Sequence, residues 1–293
     1  MVLPAAIILI AGALLILGVL VYKLSHPGAV SETANPSHYL LPSLEVTVPA
    51  GKADLPGWWI PGLRGAPGII LAPGYGMSRS DALSLAAVLH EAGFNLLIYT
   101  PRGSTEKGAS TLGLREPADM LQAIKLVQAR PESNRERLGV WGVDVEANAA
   151  LRAAAECKEV RAIVADSAFE SVPDFIGYKI SEDFGVDSRI LQLGAYQIFR
   201  LAHITGGAFR GGGLDLQALS GRTILFIKGE NRRGLGNLAT AIYDRIQPRK
   251  EMISFKTARV RIMSGEDIKS YDRHVTNFFH LNLRNESKVK EQE

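Results

Sequence analysis

The chain has 293 residues, of which 46% are hydrophobic and 22% are charged, and its formal net charge is +3. These ordinary values exclude a disordered chain, a collagen-like repeat and a coiled coil. A single cysteine, Cys157, excludes a disulfide framework and a zinc site built from several cysteines. We expect a globular protein, and the sequence predicts neither a bound metal nor a cofactor.

The N-terminal segment is the most apolar part of the chain. Val2–Val21 holds no charged residue, and twenty residues in a helix span about 30 Å, the thickness of a bilayer's hydrocarbon core. We interpret residues 1–23 as a single-pass transmembrane anchor, which makes a membrane the expected partner. A cleaved signal peptide is the alternative, but no Lys or Arg precedes the apolar run. Lys23, directly after the run, favours a cytoplasmic main domain.

The rest of the chain divides into a linker at 24–43, a main domain at 44–283 and a polar tail at 284–293. Eight short apolar runs predict strands at Leu44–Val48, Leu55–Ile60, Gly68–Ala72, Asn95–Thr100, Leu138–Gly142, Arg161–Asp166, Thr223–Lys228 and Met252–Lys256. Amphipathic segments between them predict helices at Ser78–Ala92, Glu116–Ala129, Glu146–Glu156, Asn237–Ile246 and Lys269–Leu283. This alternation is typical of a mostly parallel sheet with helices on both faces. Residues 171–221 break the rhythm and predict an inserted helical cap with glycines at its end.

Five short motifs follow one another at a characteristic spacing: Gly57–Pro61, Leu71–Gly76, Tyr99–Gly103, Arg135–Gly142 and Val164–Phe169. In this order they resemble the motifs of the α/β-hydrolase superfamily, particularly membrane-anchored relatives of the serine-aminopeptidase-like esterases. The resemblance covers the chain from about Leu44 to Leu283. It implies an α/β-hydrolase fold and an active site built from a serine nucleophile, an acid and a histidine.

The nucleophile of such enzymes lies on a sharp turn between a strand and a helix, in the pattern G-x-S-x-G. The matching window here is Gly142–Glu146, in which Asp144 takes the place of the serine and Glu146 that of the second glycine. We expect the long side chain of Glu146 to crowd the turn. Tyr75 and Val145 occupy the positions whose backbone N–H groups would form the oxyanion hole.

The acid and the base are replaced as well. The acid position falls on Asn231 or Arg232, with Glu230 one or two places early. The loop at 257–265, where the base should lie, holds no histidine. His274 comes closest in the sequence, but it falls within a predicted helix.

Because all three triad positions are replaced, we predict a catalytically degenerate, membrane-tethered protein with a binding or scaffolding role. The alternative is an active hydrolase of ester or amide bonds that uses Asp144 as an unconventional nucleophile. An ester formed on Asp144 would still need a general base to activate water. That alternative therefore requires Glu230 or His274 within hydrogen-bond reach of Asp144 or of the attacking water.

The net charge conceals an asymmetry along the chain. Residues 189–261 hold thirteen Lys or Arg against four Asp or Glu, a local charge of +9, so the rest carries −6. Four arginines fall in the loops expected beside the former active site: Arg232, Arg233, Arg259 and Arg261. Either Asp144 pairs with Arg232 or Arg233, or the loops bind an anionic small molecule or anionic lipid headgroups. A solvated basic surface without a ligand is the third interpretation. No nucleic-acid-binding motif is present.

Overall fold

The computed structural model describes residues 2–28, 30–51, 53–105, 108–203, 213–247, 249–258 and 260–284. Arg259, most of the predicted glycine-rich end of the cap and the tail at 285–293 lie outside the described residues.

One sheet of eight strands forms the centre of the molecule, as predicted. In chain order the strands are β1 (Leu44–Ala50), β2 (Ala53–Ile60), β3 (Ala66–Ala72), β4 (Asn95–Tyr99), β5 (Ser133–Val143), β6 (Val160–Asp166), β7 (Thr223–Gly229) and β8 (Arg249–Phe255). Their order across the sheet is β1-β2-β4-β3-β5-β6-β7-β8, and the pairs β1–β2 and β2–β4 are antiparallel while the other five are parallel. The central strands are apolar along both faces because helices cover both.

Helices of the main domain lie on both faces, as the alternating sequence pattern predicts. In chain order they are α2 (Leu83–Glu91), α3 (Glu116–Gln128), α4 (Val145–Glu156), α7 (Arg233–Arg245) and α8 (Gly265–Leu283), with α1, α5 and α6 described below. One apolar core packs α3, α4 and α7 against the sheet, and a second packs α2 and α8 against the opposite face. The carboxyl ends of the parallel strands meet at one edge, where a site would form.

In the described part of the cap region two helices are present, α5 (Val172–Phe184) and α6 (Arg189–His203). The start of α5 is encoded locally, since Ser171 and Asp174 form a capping box and proline follows in the first turn. Its end is encoded by Gly185, which adopts the left-handed conformation with φ 66°. The cap therefore begins with a helix of well-defined ends directly after β6.

The N-terminal helix α1 (Val2–Ser25) packs its last turns against the cap. Leu20, Val21 and Leu24 are buried in a third apolar cluster together with side chains of α5 and α6. Leu17 lies so close to Gly194 of α6 that a Cβ added at Gly194 would lie 3.1 Å from Leu17 Cδ1. The C-terminal end of α1 is thus part of the folded domain rather than a detached segment.

Among the described residues, no helix is both long enough and apolar enough to cross a membrane. The transmembrane anchor predicted for residues 1–23 is therefore not supported, although the helix itself is present.

Candidate functional site

Asp144 lies on a sharp turn between β5 and α4, where the resemblance places the nucleophile. Its backbone has φ 42° and ψ −101°, a conformation that costs a non-glycine residue about 1–3 kcal/mol. Gly142 is required at this turn, because a Cβ there would lie 2.4 Å from the carbonyl oxygen of Glu146. The strained turn of a nucleophile elbow is therefore preserved although the serine is not.

Glu146 does not crowd the turn, contrary to expectation. Its side chain is buried in the interior, where Tyr99 Oη donates a hydrogen bond of 2.5 Å to Glu146 Oε2. Burial raises the pKa of the Glu146 carboxyl well above its ordinary value, and the nearby carboxylates of Glu116 and Asp119 raise it further. The turn tolerates this residue because the side chain has a polar partner away from the strained backbone.

The carboxylate of Asp144 is hydrogen-bonded to the two backbone N–H groups that the resemblance assigns to an oxyanion hole. Asp144 Oδ1 accepts hydrogen bonds from the backbone N–H of Tyr75 at 2.8 Å and of Val145 at 2.6 Å. These are the two N–H groups that the sequence assigned to the oxyanion hole. The N-terminus of α4 adds the positive end of its dipole at the same point. In this structure both N–H groups therefore donate to a carboxylate oxygen of the protein itself.

Arg232 pairs with the second oxygen of the same carboxylate. Arg232 Nη1 lies 3.5 Å from Asp144 Oδ2, and the two side chains are 7% and 4% exposed. Burial raises the pKa of Asp144, while Arg232 and the two backbone N–H groups lower it. Burial would lower the pKa of Arg232, but Asp144 and Tyr178 raise it above its ordinary value. The arrangement is a buried ion pair that closes the site.

Arg232 also connects this ion pair to the cap. Arg232 Nε donates to Tyr178 Oη at 3.0 Å, and Tyr178 Oη in turn donates to Glu182 on the same cap helix, α5. Lys179 Nζ contacts Glu182 Oε2 at 2.9 Å and Asp183 Oδ1 at 2.8 Å. The cap is therefore held over Asp144 by a continuous polar chain, which no motif in the sequence indicated.

The acid and base positions hold no catalytic pair in the part of the chain that the structure describes. Asn231 is exposed, and its Oδ1 accepts a hydrogen bond of 3.2 Å from the backbone N–H of Ala258. Glu230 is exposed. His274 is exposed on α8, and its Nδ1 donates to the carbonyl oxygen of Ser270 at 2.7 Å. The alternative mechanism requires Glu230 or His274 to lie within reach of Asp144. In the described part of the chain neither residue contacts Asp144.

The remaining arginines of the basic loops have different surroundings from Arg232. Arg233 is exposed at the start of α7. Arg261 is also exposed, and its Nη1 donates to the carbonyl oxygen of Gly76 at 3.1 Å, beside the oxyanion-hole loop. Arg259 lies outside the described residues. An external anion could thus reach Arg233 and Arg261 in this arrangement, whereas Arg232 is buried against Asp144.

The end of α1 covers the site from the side of the cap. Tyr75 Oη donates a hydrogen bond of 2.9 Å to the carbonyl oxygen of Leu24. The backbone N–H of Ser110 donates one of 2.8 Å to the carbonyl oxygen of Ser25. The ring of Tyr75 packs edge-on against Phe175, with centroids 5.6 Å apart. Because these contacts join segments distant in sequence, the periodicity of the apolar run could not indicate them.

A second buried carboxylate, Asp166, lies beside Asp144 at the end of β6. Tyr271 Oη donates to Asp166 Oδ2 and Ser167 Oγ to Asp166 Oδ1, each at 2.8 Å, and Trp141 Nε1 donates to Tyr271 Oη at 2.8 Å. Burial raises the pKa of Asp166 to about 7, although the two hydroxyl groups lower it. Ser167 is thus a structural donor inside the protein.

The strand order, the preserved elbow after β5 and the loops gathered at the same sheet edge define the α/β-hydrolase fold. Solved structures support this assignment. An esterase of Pyrococcus furiosus superposes with a TM-score of 0.67 and 21% identity, covering 89% of this chain and 99% of that one. A dienelactone hydrolase of Anabaena variabilis has a TM-score of 0.59 and 18% identity, covering 83% of this chain and 99% of its own. At these identities the likeness shows the fold alone.

Sequence comparison adds one relative. An uncharacterized Pseudomonas aeruginosa protein is 30% identical over 126 residues, which are 40% of this chain and 33% of that protein. The match thus spans one third of the relative's length. Its crystal structure superposes with a TM-score of 0.62 and 18% identity over 83% of this chain and 94% of that one. No protein-family model matches the chain.

Proposed function

We propose that this chain is a catalytically silent protein of the α/β-hydrolase fold with a binding or scaffolding role. The observation that carries the proposal is the position of Asp144 Oδ1, 2.8 Å from the N–H of Tyr75 and 2.6 Å from that of Val145. Acyl transfer needs these donors empty, so that they can bind the oxyanion that develops on the substrate. Here a permanent carboxylate competes for them, and Arg232 neutralises it.

The replaced triad supports the same conclusion. Loss of a single triad member lowers the rate by orders of magnitude. In this chain the nucleophile position is an aspartate, the acid position is Asn231 or Arg232, and the loop at 257–265 has no histidine. The chain keeps the α/β-hydrolase fold, and the contacts of Asp144 with Arg232 and of Arg232 with Tyr178 connect the sheet to the cap.

One observation favours the alternative, an active hydrolase with Asp144 as nucleophile. The elbow keeps its strained backbone, with φ 42° at Asp144, and such strain often persists where function uses it. Attack would require one carboxylate oxygen to leave the two N–H groups or Arg232. Hydrolysis of the resulting ester would then require a base, and both Glu230 and His274 lie exposed outside the contacts of Asp144 in the described structure.

Hydrolysis of p-nitrophenyl esters by the purified full chain tests this proposal. We expect no turnover above the buffer rate. The variant Asp144→Ala is compared with Asp267→Ala, which removes an exposed aspartate from the first turn of α8. Enzyme-like turnover that Asp144→Ala abolishes and Asp267→Ala retains would overturn the proposal and establish the alternative.

We propose in addition that the chain acts at a membrane. The apolar composition of Val2–Val21 supports this, since these residues hold no charge. Flotation of the full chain with lipid vesicles tests it: the expected result is recovery of the protein with the vesicles, and recovery in the unbound fraction contradicts it.

A further inference from the structure

The two helices that pack together at the cap, α1 and α6, expose large apolar side chains on one side of the molecule. We call this surface the α1–α6 face, and it consists of Leu14, Leu15, Ile16, Val19, Ile190, Leu193 and Leu201. These side chains are between 50% and 85% exposed. So many neighbouring large apolar residues are unusual on a monomeric soluble protein and indicate a surface that contacts a partner or a membrane.

The contribution of α1 comes from residues that precede its buried C-terminal end. Leu14, Leu15 and Ile16 are consecutive and are 55%, 69% and 67% exposed. Consecutive residues of a helix point about 100° apart, so this stretch is apolar around its circumference. A helix that is apolar all round is normally buried in a protein core or in lipid. From Leu20 onward the apolar side chains of α1 are buried against the cap, and Leu17 is partly buried there.

The contribution of α6 is a stripe along one side of the helix. Its exposed large apolar residues, Ile190, Leu193 and Leu201, recur at helical spacing, and Ala195 and Phe199 are buried on the opposite side. Leu17 of α1 lies against Gly194 of α6. The exposed apolar side chains therefore belong to two helices that pack on each other.

The charges on these helices select an anionic lipid surface as the occupant. Neither helix contains Asp or Glu, while Lys23, Arg189 and Arg200 are exposed on them. Cations beside an apolar face are typical of helices that lie in a membrane interface, where the apolar side chains enter the acyl region and the cations contact headgroups. Pairing with a second copy would instead bring the cations of both copies together, which is unfavourable.

We infer that the α1–α6 face docks on an anionic lipid bilayer and holds the domain against it in a fixed orientation. This inference rests on the proposed membrane location but not on the proposed loss of catalysis. It makes a prediction that a flexible tether does not make. Residues of α6, far from α1 in the sequence, contact lipid whenever α1 does.

Two single-cysteine variants of the full chain test this orientation, each in a Cys157→Ser background and each labelled with an environment-sensitive fluorophore. Leu193→Cys places the probe on the α1–α6 face. Leu281→Cys is the matched control, since Leu281 on α8 is 67% exposed and Leu193 is 62% exposed. Vesicles are phosphatidylcholine with or without phosphatidylserine, and some carry nitroxide-labelled acyl chains. We expect lipid quenching of the probe at 193 and none at 281, with binding strengthened by phosphatidylserine and weakened by salt.

Each other outcome has a definite meaning. Vesicle binding with equal, weak quenching at 193 and 281 overturns the fixed orientation and leaves a tether. Absence of vesicle binding overturns both this inference and the membrane location, whereas ester hydrolysis bears on neither. Shielding of the probe at 193 without vesicles, together with a doubled mass in solution, identifies a second copy as the occupant and overturns the lipid assignment.

A pair of substitutions that introduce negative charge gives an independent readout. Ile190→Glu combined with Leu193→Glu places two carboxylates on the α1–α6 face, and we expect partition into anionic vesicles to fall at least tenfold, because each buried Leu or Ile contributes roughly tenfold to transfer. Leu281→Glu should bind as the unmodified chain does. Circular dichroism of both variants confirms that the fold is retained. Unchanged partition of the double variant contradicts the inference.

Discussion

Asp144 and Asp166 end two neighbouring strands, and both are buried, yet the protein stabilises them in different ways. Asp144 accepts hydrogen bonds from two backbone N–H groups and faces the guanidinium of Arg232. Asp166 accepts hydrogen bonds from two hydroxyl groups, of Ser167 and Tyr271. The first surrounding neutralises a negative charge, while the second provides partners without a direct cationic contact. The comparison shows that Asp144, at the position that the resemblance assigns to the nucleophile, lies within ion-pair distance of an arginine, whereas the hydrogen bonds of Asp166 come from hydroxyl groups.

Removing the counter-ion should have the largest effect. Arg232→Met leaves Asp144 buried beside the elbow without its cation, and breaking a buried pair in this way costs about 3–5 kcal/mol. Urea denaturation at neutral pH measures the loss. Arg233→Met is the matched control, because Arg233 is exposed one position further along, and its effect should be below about 0.5 kcal/mol. Equal effects of the two variants would show that the pair contributes nothing specific.

The raised pKa of the buried Asp166 carboxyl should make stability depend on pH. Its pKa is raised to about 7 in the folded protein, whereas an aspartate in an unfolded chain has a pKa of about 4. The folded state therefore retains a proton that the unfolded state has released. The contribution of Asp166 to stability is fully present below about pH 4, declines as pH rises through about 7, and changes by up to about 4 kcal/mol.

The variant Asp166→Asn should remove this component, because asparagine stays neutral at every pH. The measurement is the free energy of unfolding at a series of pH values between about 4 and 8. Asp267→Asn, at an exposed position in the first turn of α8, should retain the pH dependence of the unmodified chain. If Asp166→Asn retains it as well, another group is responsible.

Emptying the oxyanion hole should destabilise the protein in a way that an added anion repairs. Asp144→Ala removes the carboxylate that accepts hydrogen bonds from the N–H groups of Tyr75 and Val145. It also leaves Arg232 buried without the aspartate. We expect the free energy of unfolding to fall by about 2–3 kcal/mol. Formate supplies the missing group and should restore about 1 kcal/mol when it exceeds its dissociation constant several-fold.

The readout for this variant is the unfolding temperature with formate or formamide at equal concentration. Formamide has a similar size but carries no charge, so it should not stabilise Asp144→Ala. The unmodified chain should respond to neither compound, because its hole is occupied. Equal stabilisation of both proteins by formate would show that the anion acts elsewhere.

The smallest expected effect belongs to the link with the cap. Tyr178→Phe removes the hydroxyl group that accepts a hydrogen bond from Arg232 Nε at 3.0 Å. Loss of a buried hydrogen bond to a charged group costs about 1.5–3 kcal/mol, and at this partly exposed position we expect a loss of about 1 kcal/mol. Tyr196→Phe on α6 is the control with no expected change beyond about 0.5 kcal/mol. Indistinguishable denaturation midpoints would show that the cap is held without this contact.

Much of the fold was predictable because it depends on patterns that are local in the sequence. Short apolar runs predicted all eight strands, with ends that differ from the structure by a few residues. The position of the elbow was also predictable, since Gly142 and Asp144 lie between an apolar run and an amphipathic segment. The prediction for Glu146 was wrong, because it assumed that a long side chain stays at the turn, whereas Tyr99 gives it a partner in the interior.

The contacts of the site were less predictable because they join distant segments. The sequence left open whether Asp144 pairs with Arg232 or Arg233, or whether the arginine loops bind an external anion. Tyr178 of the cap and Tyr271 of the last helix were not indicated at all, since a tyrosine at one position of a helix has no pattern that reveals its partner. The anchor prediction shows the same limit: hydropathy identified an apolar helix but not the packing of its last turns on the cap.

By itself the sequence determined the order of strands and helices, the residues at the positions that the resemblance assigns to the triad, and the excess of positive charge in residues 189–261. Each of these follows from residue type and spacing along the chain. Only the tertiary structure decided that Asp144 accepts hydrogen bonds from the N–H groups of Tyr75 and Val145, that Arg232 pairs with it and that α1 packs on α6. Those outcomes depend on how side chains far apart in the sequence come together when the sheet and the cap pack. A buried charge without a partner is strongly unfavourable, so buried charged groups are paired.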